Sequence, residues 1–83
     1  MTKEEFNFRL STEFTPTENA LINFNIYWNE KYIEYYQNYH CGMYDECYDF
    51  LIKNRHLLEL KYTPKKWLKQ AKINIKNAKI LMT

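Results

Sequence analysis

TPTENALINFNIYWNEKYIEYYQNYH, residues 15–40, is the stretch that decides the fold. Its opening TPTE offers a threonine N-cap, a proline at the first helical position and a glutamate at the third, which is typical of a helix start. Asn25 and Asn29 lie at the seam between an apolar and a polar face. The apolar face comprises Leu21, Phe24, Trp28, Tyr32, Tyr35, Tyr36 and Tyr39. This spacing predicts one helix over about 16–40.

Two further helices are predicted downstream. Gly42 can adopt the left-handed conformation that ends a helix, and an amphipathic run begins directly after it. The acidic start and basic end of that run match the helix dipole and predict a helix over about 43–61. TPKK at residues 63–66 repeats the threonine cap and the proline, which predicts a last helix over about 64–82.

The N-terminal stretch FNFRLSTEF, residues 6–14, supports two interpretations. Phe6, Phe8, Leu10 and Phe14 alternate as in a strand. Three of them, without Phe8, also fit a short helix that follows the capping box TKEE. Since the chain offers no second strand as a partner, a short helix or an arm docked on the bundle is favoured. The pattern leaves open whether residues 3–14 form helix or strand.

Composition indicates one small globular domain over residues 1–83. The chain is near the lower size limit for a single core, and its 46% hydrophobic residues argue against disorder. One glycine and two prolines favour a few long elements. The fold class predicted is all-α, a small antiparallel bundle of three to four helices with an uncertain short N-terminal element. The predicted core is Leu21, Phe24, Trp28, Tyr32, Tyr35, Phe50, Leu51, Leu57, Leu58, Trp67, Ala71, Ile75 and Ala78.

Several functional classes are disfavoured by what the sequence lacks. No apolar run has the length of a membrane span, and MTKEEFNF does not resemble a signal peptide, so a cytoplasmic location is expected, in a host cell if the protein is viral. His40, Cys41, Cys47 and His56 lack zinc-ligand spacing, so neither a metal site nor a cofactor is expected. No phosphate loop or catalytic motif is present, and the expectation is that the protein is not an enzyme.

Charge is distributed unevenly along the chain. Residues 1–50 contain nine acidic and three basic residues, a formal charge of −6, whereas residues 51–83 contain one acidic and nine basic residues, a charge of +8. The basic half carries a stripe of lysines at helical spacing, namely Lys65, Lys69, Lys72, Lys76 and Lys79. Such a stripe is typical of a solvated helix face, and it also suits an acidic protein partner or a phosphate backbone.

A second candidate surface combines apolar and polar residues. Tyr27 lies on the polar arc with Glu30 and Glu34, where an exposed tyrosine is suited to a protein interface. Ile73 and Ile80 lie beyond the lysine stripe at seven-residue spacing, which suggests a helix–helix contact and a possible homodimer.

These features favour a small non-enzymatic protein–protein interaction module that masks a partner surface. The abundance of Asn, Lys, Ile and Tyr is typical of AT-rich genomes, which suggests a phage or viral inhibitor of a host defence protein. The alternative from another class is a small nucleic-acid-binding protein without sequence preference, which would use the lysine stripe. The sequence shows few aromatic or polar groups among these lysines that would reach bases.

Overall fold

Five α-helices and three 3₁₀ turns make up residues 1–81, the part of the chain that a computed structural model describes. The helices are α1 (Lys3–Glu13), α2 (Pro16–Ile26), α3 (Tyr32–His40), α4 (Tyr44–Lys53) and α5 (Leu68–Leu81). The 3₁₀ turns are Arg55–Leu57, Leu60–Tyr62 and Lys65–Trp67. No strand occurs within residues 1–81, so the all-α prediction is confirmed. The five helices of these residues exceed the predicted three to four, and the antiparallel arrangement stays a prediction.

The N-terminal stretch is helix rather than strand. Thr2 caps α1 by accepting a hydrogen bond from the backbone N–H of Glu5 at 3.1 Å, as the TKEE motif predicts. Phe6 and Phe14 point into the core, where their rings lie 5.6 Å from Tyr44 and 6.5 Å from Tyr48 respectively. A whole helix therefore docks on the rest of the chain through two phenylalanines.

The predicted helix over 16–40 is wrong in one respect, because it is divided into α2 and α3. TPTE forms the capping box, with both reciprocal hydrogen bonds present. The helix then ends at Ile26, and the Asn29 side chain accepts the backbone N–H of Lys31 at 2.9 Å while donating to Asn54 at 3.0 Å. An asparagine that bonds its own backbone two residues on stabilises a turn at the expense of a helix.

The predicted helix over 43–61 is also too long. Gly42 has a positive φ of 76° before α4, as expected for the end of a helix. However, α4 ends at Lys53, and the Asn54 amide bonds back to the Phe50 carbonyl at 2.8 Å. Two 3₁₀ turns follow, which bury Leu58 in the core.

The last helix starts later than predicted. Thr63 does not act as its N-cap, because the Thr63 hydroxyl is buried and donates to Asn25 Oδ1 at 2.9 Å. A 3₁₀ turn at Lys65–Trp67 leads into α5 instead. The predicted end at residue 82 lies outside the described residues.

Two groups of buried side chains form the core. The larger group joins α1, α2, α3 and α4 and contains Phe6, Phe14, Ile22, Ile26, Tyr35, Cys47, Leu51 and Leu58. The smaller group joins α2 to α5 and contains Leu21, Ala71 and Ile75. Helix α2 thus buries residues on two sides, which places α5 on the opposite side of α2 from the larger group.

The predicted core is largely confirmed, with one error. Leu21, Tyr35, Leu51, Leu58, Ala71 and Ile75 are buried. Phe24, Tyr32, Phe50, Leu57, Trp67 and Ala78 are half-buried. Trp28 is 56% exposed, so its assignment to the core is wrong. Since α2 ends at Ile26, Trp28 no longer continues the apolar face of that helix.

Asn25 links α2 to the irregular segment that precedes α5. Its side-chain amide donates to the Leu57 carbonyl at 2.6 Å and to the Glu59 carbonyl at 3.3 Å, and its Oδ1 accepts the Thr63 hydroxyl. These bonds satisfy backbone groups of residues 57–63 that no regular helix satisfies.

An ion pair joins the start of α2 to the turn after α4. Arg55 binds Glu18 through two hydrogen bonds, Nε to Oε2 at 2.7 Å and Nη2 to Oε1 at 2.8 Å. The Arg55 hydrogen bond is the main reason why the pKa of Glu18 lies below its ordinary value of 4.5, although partial burial acts in the opposite direction.

Glu18→Gln tests the charge of this pair, because glutamine at the same position can keep the capping box. We expect the free energy of unfolding at pH 7 to fall by about 1 kcal/mol, since Arg55 is partly exposed. Because the pKa of Glu18 is lower in the folded chain than in the unfolded chain, its ionised carboxylate stabilises the folded state above about pH 4.5. This stabilisation is lost as the pH falls through the pKa that Glu18 has in the folded chain.

Urea unfolding at a series of pH values checks this expectation. The difference in the free energy of unfolding between wild type and Glu18→Gln should be largest at pH 7 and should disappear in acid. Glu4→Gln, which removes an exposed carboxylate of α1, is the control for the loss of one charge. A difference that persists unchanged at about pH 2 would contradict a charge-based role for Glu18.

Candidate binding surfaces

The five lysines of the predicted stripe lie on or just before α5, and all are exposed. Lys65 belongs to the preceding 3₁₀ turn, and Lys69, Lys72, Lys76 and Lys79 follow along α5. Within residues 1–81, none of them forms an ion pair with a carboxylate. The row therefore presents uncompensated positive charge over about 20 Å of helix.

Three aromatic side chains stand beside the start of this row, and we call them the aromatic platform: Tyr27, Trp28 and Trp67. The Trp67 ring centroid lies 5.0 Å from that of Tyr27 and 6.0 Å from that of Trp28. Trp67 also contacts Phe24 of α2, with ring centroids 5.7 Å apart, and this contact packs the platform against α2. Tyr27 and Trp28 are 48% and 56% exposed, so the platform faces solvent.

Lys66 connects the platform to the lysine row. Its Nζ lies 5.2 Å from the centroid of Trp28 and 4.9 Å from that of Trp67, within the range of cation–π contacts. Sequence reasoning identified Tyr27 as a surface residue, but it missed Lys66 and the two tryptophans because it assigned both tryptophans to the core. The signal that could have found them is Asn29, whose turn ends α2 early and leaves Trp28 outside.

An acidic groove runs between α3 and α4, with a volume of about 420 Å³. Its walls carry four carboxylates, those of Glu30, Glu34, Glu46 and Asp49. Two lysines, Lys31 and Lys53, also line it, so its formal charge is −2. Within residues 1–81, no ion pair neutralises any of the four carboxylates.

The apolar floor of the groove consists of Tyr35 and Phe50, whose ring centroids lie 5.2 Å apart. Burial raises the pKa of Tyr35 further above its ordinary value of 10, at which a phenol is already protonated at neutral pH. A protonated phenol adds no charge to the groove. The arrangement suits a ligand with an apolar part and several positive charges.

The residues predicted as one mixed surface belong to three places. Tyr27 lies in the aromatic platform, while Glu30 and Glu34 line the acidic groove. Ile73 and Ile80 lie on α5 and are 43% and 60% exposed. Their role in a helix–helix contact stays a prediction.

The cysteines and histidines do not come together as a metal site. Cys47 is fully buried, and its thiol points to the Tyr35 carbonyl at 3.6 Å. Burial raises the pKa of the Cys47 thiol to about 11, so it is an inert core thiol, whereas Cys41 is exposed. In the described part of the chain, no three His, Cys, Asp or Glu side chains form a possible metal-binding group.

The helices of residues 1–81 include none with both the length and the apolar character needed to span a membrane. Comparison of the chain with protein-family models, with curated proteins and with solved structures finds no match. Function must therefore follow from the chemistry of the surfaces themselves.

Proposed function

We propose that this chain is a non-enzymatic protein–protein interaction module that binds a basic segment of a partner protein in the acidic groove between α3 and α4. The observation that carries this proposal is the pairing of four unneutralised carboxylates with an apolar floor. Carboxylate side chains accept charge-assisted hydrogen bonds from arginine and lysine, and the aromatic floor offers contact to their aliphatic stems.

The spacing of the carboxylates supports recognition of an elongated basic segment. Glu30 and Glu34 stand on one wall, and Glu46 and Asp49 lie one helical turn apart on the other. Two rows of negative charge, in which Glu46 and Asp49 of one row are about one helical turn apart, also imitate the phosphates of a nucleic acid. A protein of this kind masks the nucleic-acid-binding surface of its partner. A phage or viral protein that inhibits a nuclease of its host would act in this way.

The test is a tagged pull-down from cell lysate after nuclease treatment, with wild type and Glu34→Lys/Glu46→Lys compared side by side. We expect the variant to lose a stoichiometric partner, with affinity at least about tenfold weaker, because two attractive charges become repulsive. Dissociation constants of the captured partner, measured at increasing salt, check the electrostatic origin of the contact.

Glu4→Lys/Glu5→Lys is the matched control, because it makes the same change in net charge on the exposed start of α1. This control should retain the partner. Equal capture by wild type and the groove variant would overturn the proposed site. Light scattering measures the molar mass of the purified chain in solution. The mass of a dimer would indicate the predicted homodimer, in which the basic α5 of one copy binds the acidic groove of the other.

A further inference from the structure

We propose that the aromatic platform and the lysine row together bind single-stranded nucleic acid. In this arrangement, bases stack on the exposed Trp28 side chain while the sugar–phosphate backbone follows α5. The platform and the lysine row lie outside the acidic groove, which adjoins this site only at Asn29 and Glu30, and the proposal does not depend on the function proposed above.

The lysine row provides the phosphate contacts. Lys69, Lys72 and Lys76 succeed one another by three or four residues on the exposed side of α5, so their side chains are neighbours on one helix face. None of them is neutralised by a carboxylate within residues 1–81. Each phosphate that such a lysine contacts releases counterions, which makes affinity depend on salt.

The aromatic platform provides what the lysine row lacks. Phosphate contacts position a strand but do not contact its bases. An exposed aromatic ring can stack with any base, because every base has a π-face. Trp28 is more than half exposed, and its ring is anchored against Trp67 and Tyr27. A preoriented ring of this kind loses little side-chain entropy when a base stacks on it.

A shallow pocket of about 410 Å³ beside Trp28 has room for such a base. Trp28 and the exposed Tyr62 both line it, together with Leu57. Glu30 lies at the same pocket and repels phosphates, so the backbone of a bound strand is expected on the side of α5.

Lys66 couples the two halves of the site. Its ammonium lies over the rings of Trp28 and Trp67. An exposed cation–π contact is weaker than base stacking, so a phosphate that attracts this ammonium leaves the tryptophan face to a base. A duplex keeps its bases stacked on one another and cannot use the platform in this way. Single strands are therefore the ligand that fits.

Tryptophan fluorescence tests the proposal directly, because both tryptophans of the chain belong to the platform. The probe is oligothymidylate of about 12 nucleotides, titrated at low and moderate salt. We expect quenching of the emission on binding, and binding that weakens linearly on a log–log plot against salt. A duplex of equal length and polyglutamate of equal charge are titrated in parallel.

Substitutions at Trp28 and in the lysine row separate stacking from charge. Trp28→Ala should weaken binding about 5- to 100-fold, and Trp28→Phe should restore much of the affinity. Lys69→Glu/Lys72→Glu should weaken binding and reduce the salt slope by about 0.7 for each lost phosphate contact. Phe8→Ala, which truncates another aromatic side chain that is more than half exposed, on α1, is the control and should bind as wild type does.

The oligonucleotide titrations can be distinguished from the pull-down that tests the acidic groove. Glu34→Lys/Glu46→Lys should still bind the oligonucleotide, whatever its effect on a protein partner. No binding at low salt, or binding that Trp28→Ala leaves unchanged, would overturn the proposal. Polyglutamate that binds as tightly as the oligonucleotide would overturn it too, and would assign the surface to an acidic protein. Circular dichroism of each variant verifies that it is folded.

Discussion

Phe6→Ala is expected to lower the free energy of unfolding by about 3–5 kcal/mol. The Phe6 ring is 1% exposed and lies in the larger core group, where it contacts the rings of Tyr39 and Tyr44 at centroid distances of 6.3 and 5.6 Å. Truncation removes this apolar contact and leaves a cavity between α1 and α4. Small domains have only about 5–15 kcal/mol in total, so this one substitution takes a large part of the stability.

Phe8→Ala is the matched control for that measurement. Phe8 lies two residues further along the same helix but is 66% exposed, so its truncation should change the free energy of unfolding by no more than about 0.5 kcal/mol. Urea unfolding followed by far-ultraviolet circular dichroism measures both values. Equal effects of the two substitutions would show that α1 does not dock through Phe6.

Asn25→Ala is expected to lower the free energy of unfolding by about 3 kcal/mol, because a buried polar group with several partners is lost. The Asn25 amide bonds the carbonyls of Leu57 and Glu59, and its oxygen accepts the Thr63 hydroxyl at 2.9 Å. After truncation, the Leu57 carbonyl loses its hydrogen bond to the Asn25 amide. The Glu59 carbonyl keeps the Tyr62 N–H at 3.1 Å, and the Thr63 hydroxyl keeps only this carbonyl, at 3.4 Å. The segment over residues 57–63 should detach locally before the rest of the chain unfolds.

Asn23→Ala provides the comparison, since Asn23 is exposed on the same helix. Both substitutions raise helix propensity by a similar amount, so the difference between them isolates the buried hydrogen bonds. Hydrogen exchange should show faster amide exchange in residues 57–63 of Asn25→Ala alone. Unchanged exchange there would contradict the role given to Asn25.

The Asn25 contacts also bear on the candidate surfaces. Leu57 and Tyr62 belong to the segment that Asn25 holds, and both line the pocket beside Trp28. If the platform binds bases, Asn25→Ala should weaken binding of oligothymidylate even where the chain is folded. The structural role of Asn25 and the binding role of Trp28 are thus separable, because only Trp28→Ala leaves the exchange of residues 57–63 unchanged.

Several properties follow from the sequence alone because they depend on near neighbours in the chain. Helix starts are local, so TPTE and TKEE predicted the caps of α2 and α1 correctly. Helical periodicity is local too, and it identified most of the core and the all-α class. The position of the lysines on one exposed face required only their spacing.

Tertiary contacts decided which aromatics face solvent and where the last helix begins. The turn at Asn29 is local, but the bond from Asn29 to Asn54, a residue 25 positions away, fixes its place in the fold. The Thr63 hydroxyl donates to Asn25 and does not cap α5. The local sequence pattern does not identify Asn54 as the partner of Asn29 or Asn25 as the partner of Thr63, because both hydrogen bonds join residues that are far apart in the chain. The early end of α2 exposes Trp28, and the packing of α5 on α2 brings Trp67 and Lys66 to it.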